Sequence, residues 1–511
     1  MKRSPTIILT ADETMMSRYR GGMFLGFSTC SPKGILPDWL YFAAFAPPVQ
    51  RSNGRAVTAD FGLRIVESSL HKAGFSEEEV AIVHPRDMKK MIGPDTKIVA
   101  LTAHDPLGIN PPTSTFVDMV RTGPPYNRIK FLELMKTLSR MNVKVVVGGK
   151  GAWQVADPVI MDKLGIDYVH LGEGEISVPR MFSSIINGED LPRVVTGEDV
   201  PVEIIPKIIG PTTHGLVEIS RGCCRGCAFC TPGMWRIRHK PVEQILEDVK
   251  TNTRGGNHAI ILHSEDVLLY GARGINPENE KVLDLVSRVA ALDGVGSMSF
   301  SHIALATAYH NRKLVEDISE ILSSAPNQRF NCAQTGVETG SPGLMEMHMK
   351  GKVLPAKPEK WPEIVVDSLG LLHDNNWALA CTLISGLPGE TEDDVMKTLE
   401  LMDEIKQFRM FYVPMNFVSM GPSFLSEEKS FTVDKMTPSH WMLVGECIEH
   451  DVKLAKQLSP QFIERQPFIR MLSSYAMNKF ITGAERSAKK MKNGNPPQDY
   501  TSSAIYLNPQ I

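Results

Sequence analysis

A chain of 511 residues, 42% hydrophobic and 22% charged, is long enough for two or three domains around buried cores. Its formal net charge of -3 gives no basic footprint, so no nucleic-acid partner is expected. Eight cysteines, four of them within positions 223–230, are too few and too unevenly placed for a disulfide framework and point to metal chemistry.

The start of the chain, Met1 to Pro5, runs directly into Ile7-Ile8-Leu9, too short an apolar stretch for a secretory signal. The longest apolar stretch, Trp39 to Val49, holds two prolines and falls far short of a membrane span. A cytoplasmic protein with no membrane association is expected.

Over residues 1–190, strands alternate with helices, the pattern of a parallel sheet covered by helices. Strands are predicted at Ile7–Thr10, Val80–His84, Ile98–Ala103, Val143–Val147 and Tyr168–Leu171. Apolar residues at three and four spacing predict helices at Phe61–His71, Ile129–Met141 and Val155–Leu164. The expectation is a doubly wound, Rossmann-like domain, followed by a linker over 191–213 that is rich in Pro, Gly, Glu and Asp.

Over 214–426 the units lengthen. Six strands, at Leu216–Ser220, Ala259–His263, Ser297–Leu305, Arg329–Val337, Ala378–Ser385 and Met410–Val418, alternate with helices and predict a partial (β/α)6 barrel of TIM type. Residues 427–511 read as a helical C-terminal region. There Trp441, Val444, Cys447, Ile448, Val452 and Ala455 form an apolar face for packing, and Asn493–Pro497 reads as an irregular tail.

The first barrel strand leads into Arg221-Gly222-Cys223-Cys224-Arg225-Gly226-Cys227-Ala228-Phe229-Cys230. Thiolates at Cys223, Cys227 and Cys230, spaced C-x-x-x-C-x-x-C, can bind three irons of a cubane and leave the fourth open. Structural zinc would want four protein ligands, and no second Cys or His pair lies nearby with finger-like spacing.

This segment, with the aromatic Phe229 before its last cysteine, resembles the signature of the radical S-adenosylmethionine (SAM) superfamily, and the resemblance extends over about 200 residues. It implies a 4Fe-4S cluster on Cys223, Cys227 and Cys230, SAM chelated to the open iron, and Cys224 as a non-ligand. Ser264 and Glu265, after the second strand, resemble the turn that receives the methionine ammonium. Glu338, in Gly336–Ser341, resembles the ribose or carboxylate contact. Gly386, in Gly386–Thr391, resembles the adenine-side turn, with Thr391 also suited to cap the next helix.

In the first domain three strand ends carry ligand-type loops: Thr102 to Gly108 with His104, Gly148-Gly149-Lys150-Gly151, and Gly172-Glu173-Gly174-Glu175. The ensemble resembles the cobalamin-binding domains that precede radical cores, although the D-x-H-x-x-G loop is absent. Cobalamin contacts are thereby implied at Thr102, His104, Gly148, Gly149, Gly172 and Glu173. For His104, a hydrogen-bonded structural role is an equal alternative.

Together these features resemble the cobalamin-dependent radical SAM methyltransferases. Arg20-Gly21-Gly22-Met23 and the insertion Pro32 to Val57 look most like archaeal enzymes of methanogens that C-methylate a glutamine. The resemblance implies a post-translational methyl transfer to an unactivated sp3 carbon, with the methyl-coenzyme M reductase alpha subunit as protein substrate and a separate electron donor. An archaeal lipid-modifying radical enzyme, such as a tetraether ring-forming enzyme, is the alternative.

Overall fold

The computed structural model describes residues 4–18, 29–232, 235–462 and 467–498. Arg20-Gly21-Gly22-Met23 lies outside them.

Six parallel strands form the first sheet: β1 (Ile7–Thr10), β2 (Val80–Ile82), β3 (Ile98–Thr102), β4 (Lys144–Gly148), β5 (Tyr168–Leu171) and β6 (Val194–Thr196), in the order β2-β1-β3-β4-β5-β6. Helices cover both faces, so the strands read as continuous apolar runs, and all four residues of β1 are buried. The strand order reverses at β1, which places a crevice at the carboxyl ends of β1 and β3.

β6 lies within the stretch expected to be a linker. Its three residues are short and only half-buried to exposed, so apolar periodicity did not reveal them, yet they pair with β5 and close the sheet's edge. Helix α1 (Phe61–Lys72) starts where the Asp60 side chain accepts from the Gly62 N–H at 2.9 Å. Helix α2 (Pro158–Leu164) begins three residues later than predicted, because the Asp157 carboxylate caps the N–H groups of Val159 and Ile160.

The second sheet system is parallel throughout. Strands β7 (Leu216–Glu218), β8 (Ala259–His263) and β9 (Ser297–Phe300) form one half, and β10 (Asn331–Glu338), β11 (Trp377–Ser385) and β12 (Met410–Asn416) the other. A single parallel bridge between His302 and Gln334 joins the halves into an open barrel. The strand predicted to reach Leu305 ends at Phe300, and Leu305 instead begins a short helix. Helix α3 (Glu392–Ile405) opens with a capping box between Thr391 and Asp394.

Two long helices follow, α4 (Pro438–Phe462) and α5 (Pro467–Met491). Trp441, Val444, Cys447 and Val452 of α4 are buried, which makes that face a packing face. The two domains meet directly. The Asn416 N–H donates to Thr115 Oγ1 at 2.8 Å, the Val433 N–H donates to the Asp118 carboxylate at 3.0 Å, and the Trp153 ring lies against Gly421. No helix among the described residues is long and apolar enough to cross a membrane.

Candidate active site at the domain junction

The cysteine loop is pinned at its base by a two-stranded antiparallel ribbon in which Ser220 pairs with His239 and Arg221 with Arg238. Gly222 turns the chain at φ 79°, where a side chain would collide with the Trp235 carbonyl at 2.8 Å. The Cys223 N–H donates to that same carbonyl at 3.1 Å, and the Ala228 N–H to the His348 carbonyl at 2.9 Å. Arg225, inside the motif, is buried. It donates to the carbonyls of Gly351 at 3.1 Å and Lys352 at 3.0 Å and to Thr307 Oγ1 at 2.5 Å, and it lies 3.5 Å from the Asp266 carboxylate. Motif reading missed this anchor, because its partners come from three distant segments.

Cys223, Cys227 and Cys230 are all partly buried. Burial pushes the Cys223 thiol up to about 12, and Cys224 and Cys227 beside it act in the same direction. Burial also raises Cys227, against the pull of the Lys352 ammonium, which faces both Cys227 and Cys230. Cys223 and Cys227 thus lie in electrostatic reach of each other, Lys352 lies in reach of Cys227 and Cys230, and Arg225 also pulls Cys227 down. Cys224 points elsewhere, its thiol donating to the Gly274 carbonyl at 3.4 Å. No three Cys, His, Asp or Glu side chains among the described residues stand at metal-holding distances. The fit to an iron–sulfur cluster lies in the donor set: three thiols on one anchored loop, whose protons a metal must displace.

After β8 come Ser264, Glu265 and Asp266. The Ser264 N–H donates to Ser301 Oγ at 3.1 Å, and its carbonyl accepts from the same hydroxyl at 2.8 Å, which fixes the turn. Asp266 faces inward, accepting from Thr307 Oγ1 at 2.6 Å beside Arg225. Burial raises its pKa despite these partners.

Glu265 differs. Burial would raise it too, but nearby charge, Lys150 first, holds the carboxyl below its usual range. It takes no hydrogen bond from the described residues. An ionised, uncommitted carboxylate at a strand end suits an ammonium ligand. Burial and then Lys150 hold the neighbouring His263 down to about 3, so it is neutral.

Lys150 and His104 bring the first sheet into this site. Both follow strand ends of that sheet, and both sit in electrostatic reach of His263. His104 is 54% exposed, with Asp60 at 3.6 Å. The carboxyl ends of the two sheets thus face one another, an arrangement that can hold a flat ligand between a cysteine loop and a doubly wound crevice.

Other sequence-predicted residues are engaged by the protein itself. Glu338 adopts φ 63° at a bulge in β10, where its carboxylate takes Lys352 Nζ at 2.7 Å and Thr382 Oγ1 at 3.0 Å. A non-glycine residue there costs on the order of 1–3 kcal/mol, which these two bonds offset. The side of Gly386 is filled by the Phe431 ring, and its N–H donates to Glu390 at 2.6 Å.

Gly149, at φ 92°, packs against Thr102 Oγ1 and the Ala103 backbone, and Gly172 against the Gly197 carbonyl. These two glycines admit neighbouring loops, whereas Gly148 has room for a Cβ. Glu173, expected at a ligand, pairs with Arg238 and with Arg221 at 3.1 Å. Two cavities, of about 420 and 380 Å³, lie away from the junction. One sits at the amino ends of β5 and β6 beside Asp167 and Arg193, the other between Trp39, Phe42, Arg86 and Lys130.

The cysteine loop thus opens a parallel barrel whose strand ends carry polar turns, and residues 217–402 match the model of the radical SAM superfamily. This part of the chain is similar to radical SAM domains, a likeness that implies a 4Fe-4S cluster and SAM as cofactors. Among curated proteins, the chain is similar to a putative methylthiotransferase of Methanocaldococcus jannaschii, at 25% identity over 53% of this chain and 60% of that protein. It is likewise similar to the tRNA-2-methylthio-N(6)-dimethylallyladenosine synthase of Fusobacterium nucleatum, at 25% identity over 51% and 58%. The chain thus spans about three-fifths of the length of these relatives. Among solved structures, the fold resembles the radical SAM methyltransferase TsrM of Kitasatospora setae with cobalamin and a [4Fe-4S] cluster bound, at TM-score 0.55 and 13% identity, covering 82% of this chain and 74% of that one.

Proposed function

We propose that the chain is a cobalamin-dependent radical SAM C-methyltransferase. Its substrate is an unactivated sp3 carbon of a glutamine in the methyl-coenzyme M reductase alpha subunit, and it draws on a separate electron donor. The observation that carries this reading is the meeting of two sets of strand carboxyl ends, with the cysteine loop and Glu265 on one side and His104 and Lys150 on the other. The fold likeness to a cobalamin-containing methyltransferase supports it. The glutamine substrate rests on the likeness of the sequence to methanogen enzymes.

When bound, the cluster would supply the electron for reductive cleavage of SAM, and cobalamin would supply the methyl group. Cys223, Cys227 and Cys230 would hold the cluster. Glu265, kept ionised, directs the methionine ammonium. Lys352, fixed by Glu338, keeps a positive charge beside Cys227 and Cys230. Thr102, His104 and Gly148 flank the face that receives the corrinoid.

The names of the curated relatives favour a second reading, methylthio transfer. That chemistry needs a sulfur source, and a second iron–sulfur cluster would need several thiolates. Residues 1–213 contain one cysteine, Cys30. A tRNA substrate would also call for a basic surface, which a net charge of -3 does not suggest.

The test is an anaerobic reaction of iron-loaded protein with hydroxocobalamin, SAM, a reductant and a glutamine-containing peptide, read by mass spectrometry. A gain of one CH2, with 5'-deoxyadenosine and S-adenosylhomocysteine released, is expected. A gain of CH2S establishes methylthio transfer instead. Failure to retain any corrinoid removes the methyl route, and a ring or crosslink formed in a lipid establishes the lipid alternative.

A further inference from the structure

The cysteine loop is tied to the first sheet by a charge network that the proposed chemistry does not use. Arg221, two residues before Cys223, places Nε 3.0 Å from both oxygens of Glu218, Nη2 2.5 Å from Glu175 and Nη1 3.1 Å from Glu173. Glu173 also takes Arg238 and the Val200 N–H, the latter at 2.7 Å. Glu218 ends β7, and Arg221 and Arg238 face each other across the ribbon at the base of the loop. Glu173 and Glu175 come from the loop after β5.

Every side chain in the network is at most 16% exposed, and three carboxylates face two guanidiniums. Desolvating so many charges is costly, and apolar side chains would hold two domains together as well. Guanidinium–carboxylate pairs add direction, since a planar fork with paired bonds fixes orientation as well as contact.

We infer that Arg221 is a positioning residue, fixing the cysteine loop in distance and orientation against the Gly172–Glu175 loop so that the reacting centres held by the two domains stay in register. The inference rests on reading the cysteine loop as a cluster site. Its effect is on coupling, because a displacement of about 1 Å between reacting groups can cost ~100-fold in rate.

Glu175→Gln tests it from the first-domain side, keeping shape, all cysteines and Glu218. Glu247→Gln, in an exposed pair with Lys250, is the charge-matched control. Iron content, hydrogen exchange over residues 221–230, and the ratio of 5'-deoxyadenosine to methylated product are measured in the full chain. For Glu175→Gln the expected result is parental iron content, faster exchange in 221–230 and a several-fold higher ratio; the control should change nothing. Unchanged exchange in 221–230 overturns the inference. So does faster exchange with an unchanged ratio, since the network would then serve stability alone. If the parent protein retains no corrinoid, the cobalamin reading fails and the exchange of 221–230 alone decides the role of Arg221. Should Glu175→Gln not fold, Arg221→Lys, which keeps the charge but lacks the fork, goes through the same measurements with the same expected result.

Discussion

The barrel mouth and the carboxyl ends of the first sheet are built from the same parallel strand–helix units, yet they hold their loops differently. At the mouth, long side chains do the holding: Arg225 spans to Gly351, Lys352, Thr307 and Asp266, and Lys352 to Glu338. At the first sheet, backbone also packs on backbone, with Gly151 against the His104 carbonyl and Gly197 against the Glu173 carbonyl, and the Gly172–Glu175 loop is tied by charged side chains, to Arg221 and Arg238. Charged anchors leave ionised groups aimed within the site, as with Glu265. Interleaved glycines fix only the shape of the rim and let His104 and Lys150 project from it. The mouth is suited to orienting a small charged ligand, and the rim to receiving a broad one.

The largest effect should come from the group on which the mouth is built. Cys223→Ala, Cys227→Ala or Cys230→Ala should each abolish SAM cleavage and lower bound iron and sulfide. Cys224→Ala, whose thiol is turned toward Gly274, should retain both. Loss of iron in Cys224→Ala with retention in Cys223→Ala would show that the motif's register is displaced by one residue.

Next is the anchor. Arg225→Ala leaves the Asp266 carboxylate buried without its cation, and breaking a buried pair in this way costs about 3–5 kcal/mol. Denaturant unfolding should show that loss, whereas a loss under about 1 kcal/mol would mean that the mouth does not depend on this side chain.

For Glu265→Gln the expected effect is on the ligand. Losing one charge-assisted hydrogen bond of about 1.5–3 kcal/mol should raise the KM for SAM roughly 10- to 100-fold with little change in folding. Because its pKa is held below the usual carboxylate range, Glu265 is ionised throughout the neutral range. Its contribution should be lost only as pH falls below the ordinary glutamate value of about 4.3. A KM for SAM that rises on acidification well above that value would separate Glu265 from ammonium binding.

How much of this was legible in the sequence follows from the same contrast. The cysteine loop was legible because its chemistry dictates residue type and spacing within eight positions. The Thr391 cap and the core strands were legible because their signals are local. The partners of Arg225 were not, since Thr307 and Gly351 lie 82 and 126 positions away. Glu173 read as a ligand residue because a Gly-Glu-Gly-Glu strand end suits one, and only the fold brings Arg221 and Arg238 to it. Strand β6 escaped because an edge strand of three half-buried to exposed residues carries no apolar run.

The smallest expected effect sharpens the comparison at the rim. Gly148, Gly149 and Gly151 read alike in the sequence, as room for a ligand, but their surroundings differ. A Cβ on Gly151 would run into the His104 carbonyl, a backbone group that cannot swing aside, although φ -95° suits any residue. Gly151→Ala should therefore cost about 1–3 kcal/mol of stability through overpacking. A Cβ on Gly148 would meet only His170 atoms at 3.7 and 3.8 Å, which is ordinary contact, so Gly148→Ala should fold with unchanged stability. That makes Gly148 the informative position. If the rim receives a corrinoid against its backbone, Gly148→Ala should weaken hydroxocobalamin retention without altering the unfolding transition, while Gly151→Ala lowers both. Unaltered retention in Gly148→Ala would mean that this glycine, like its neighbours, serves the packing of the loops alone.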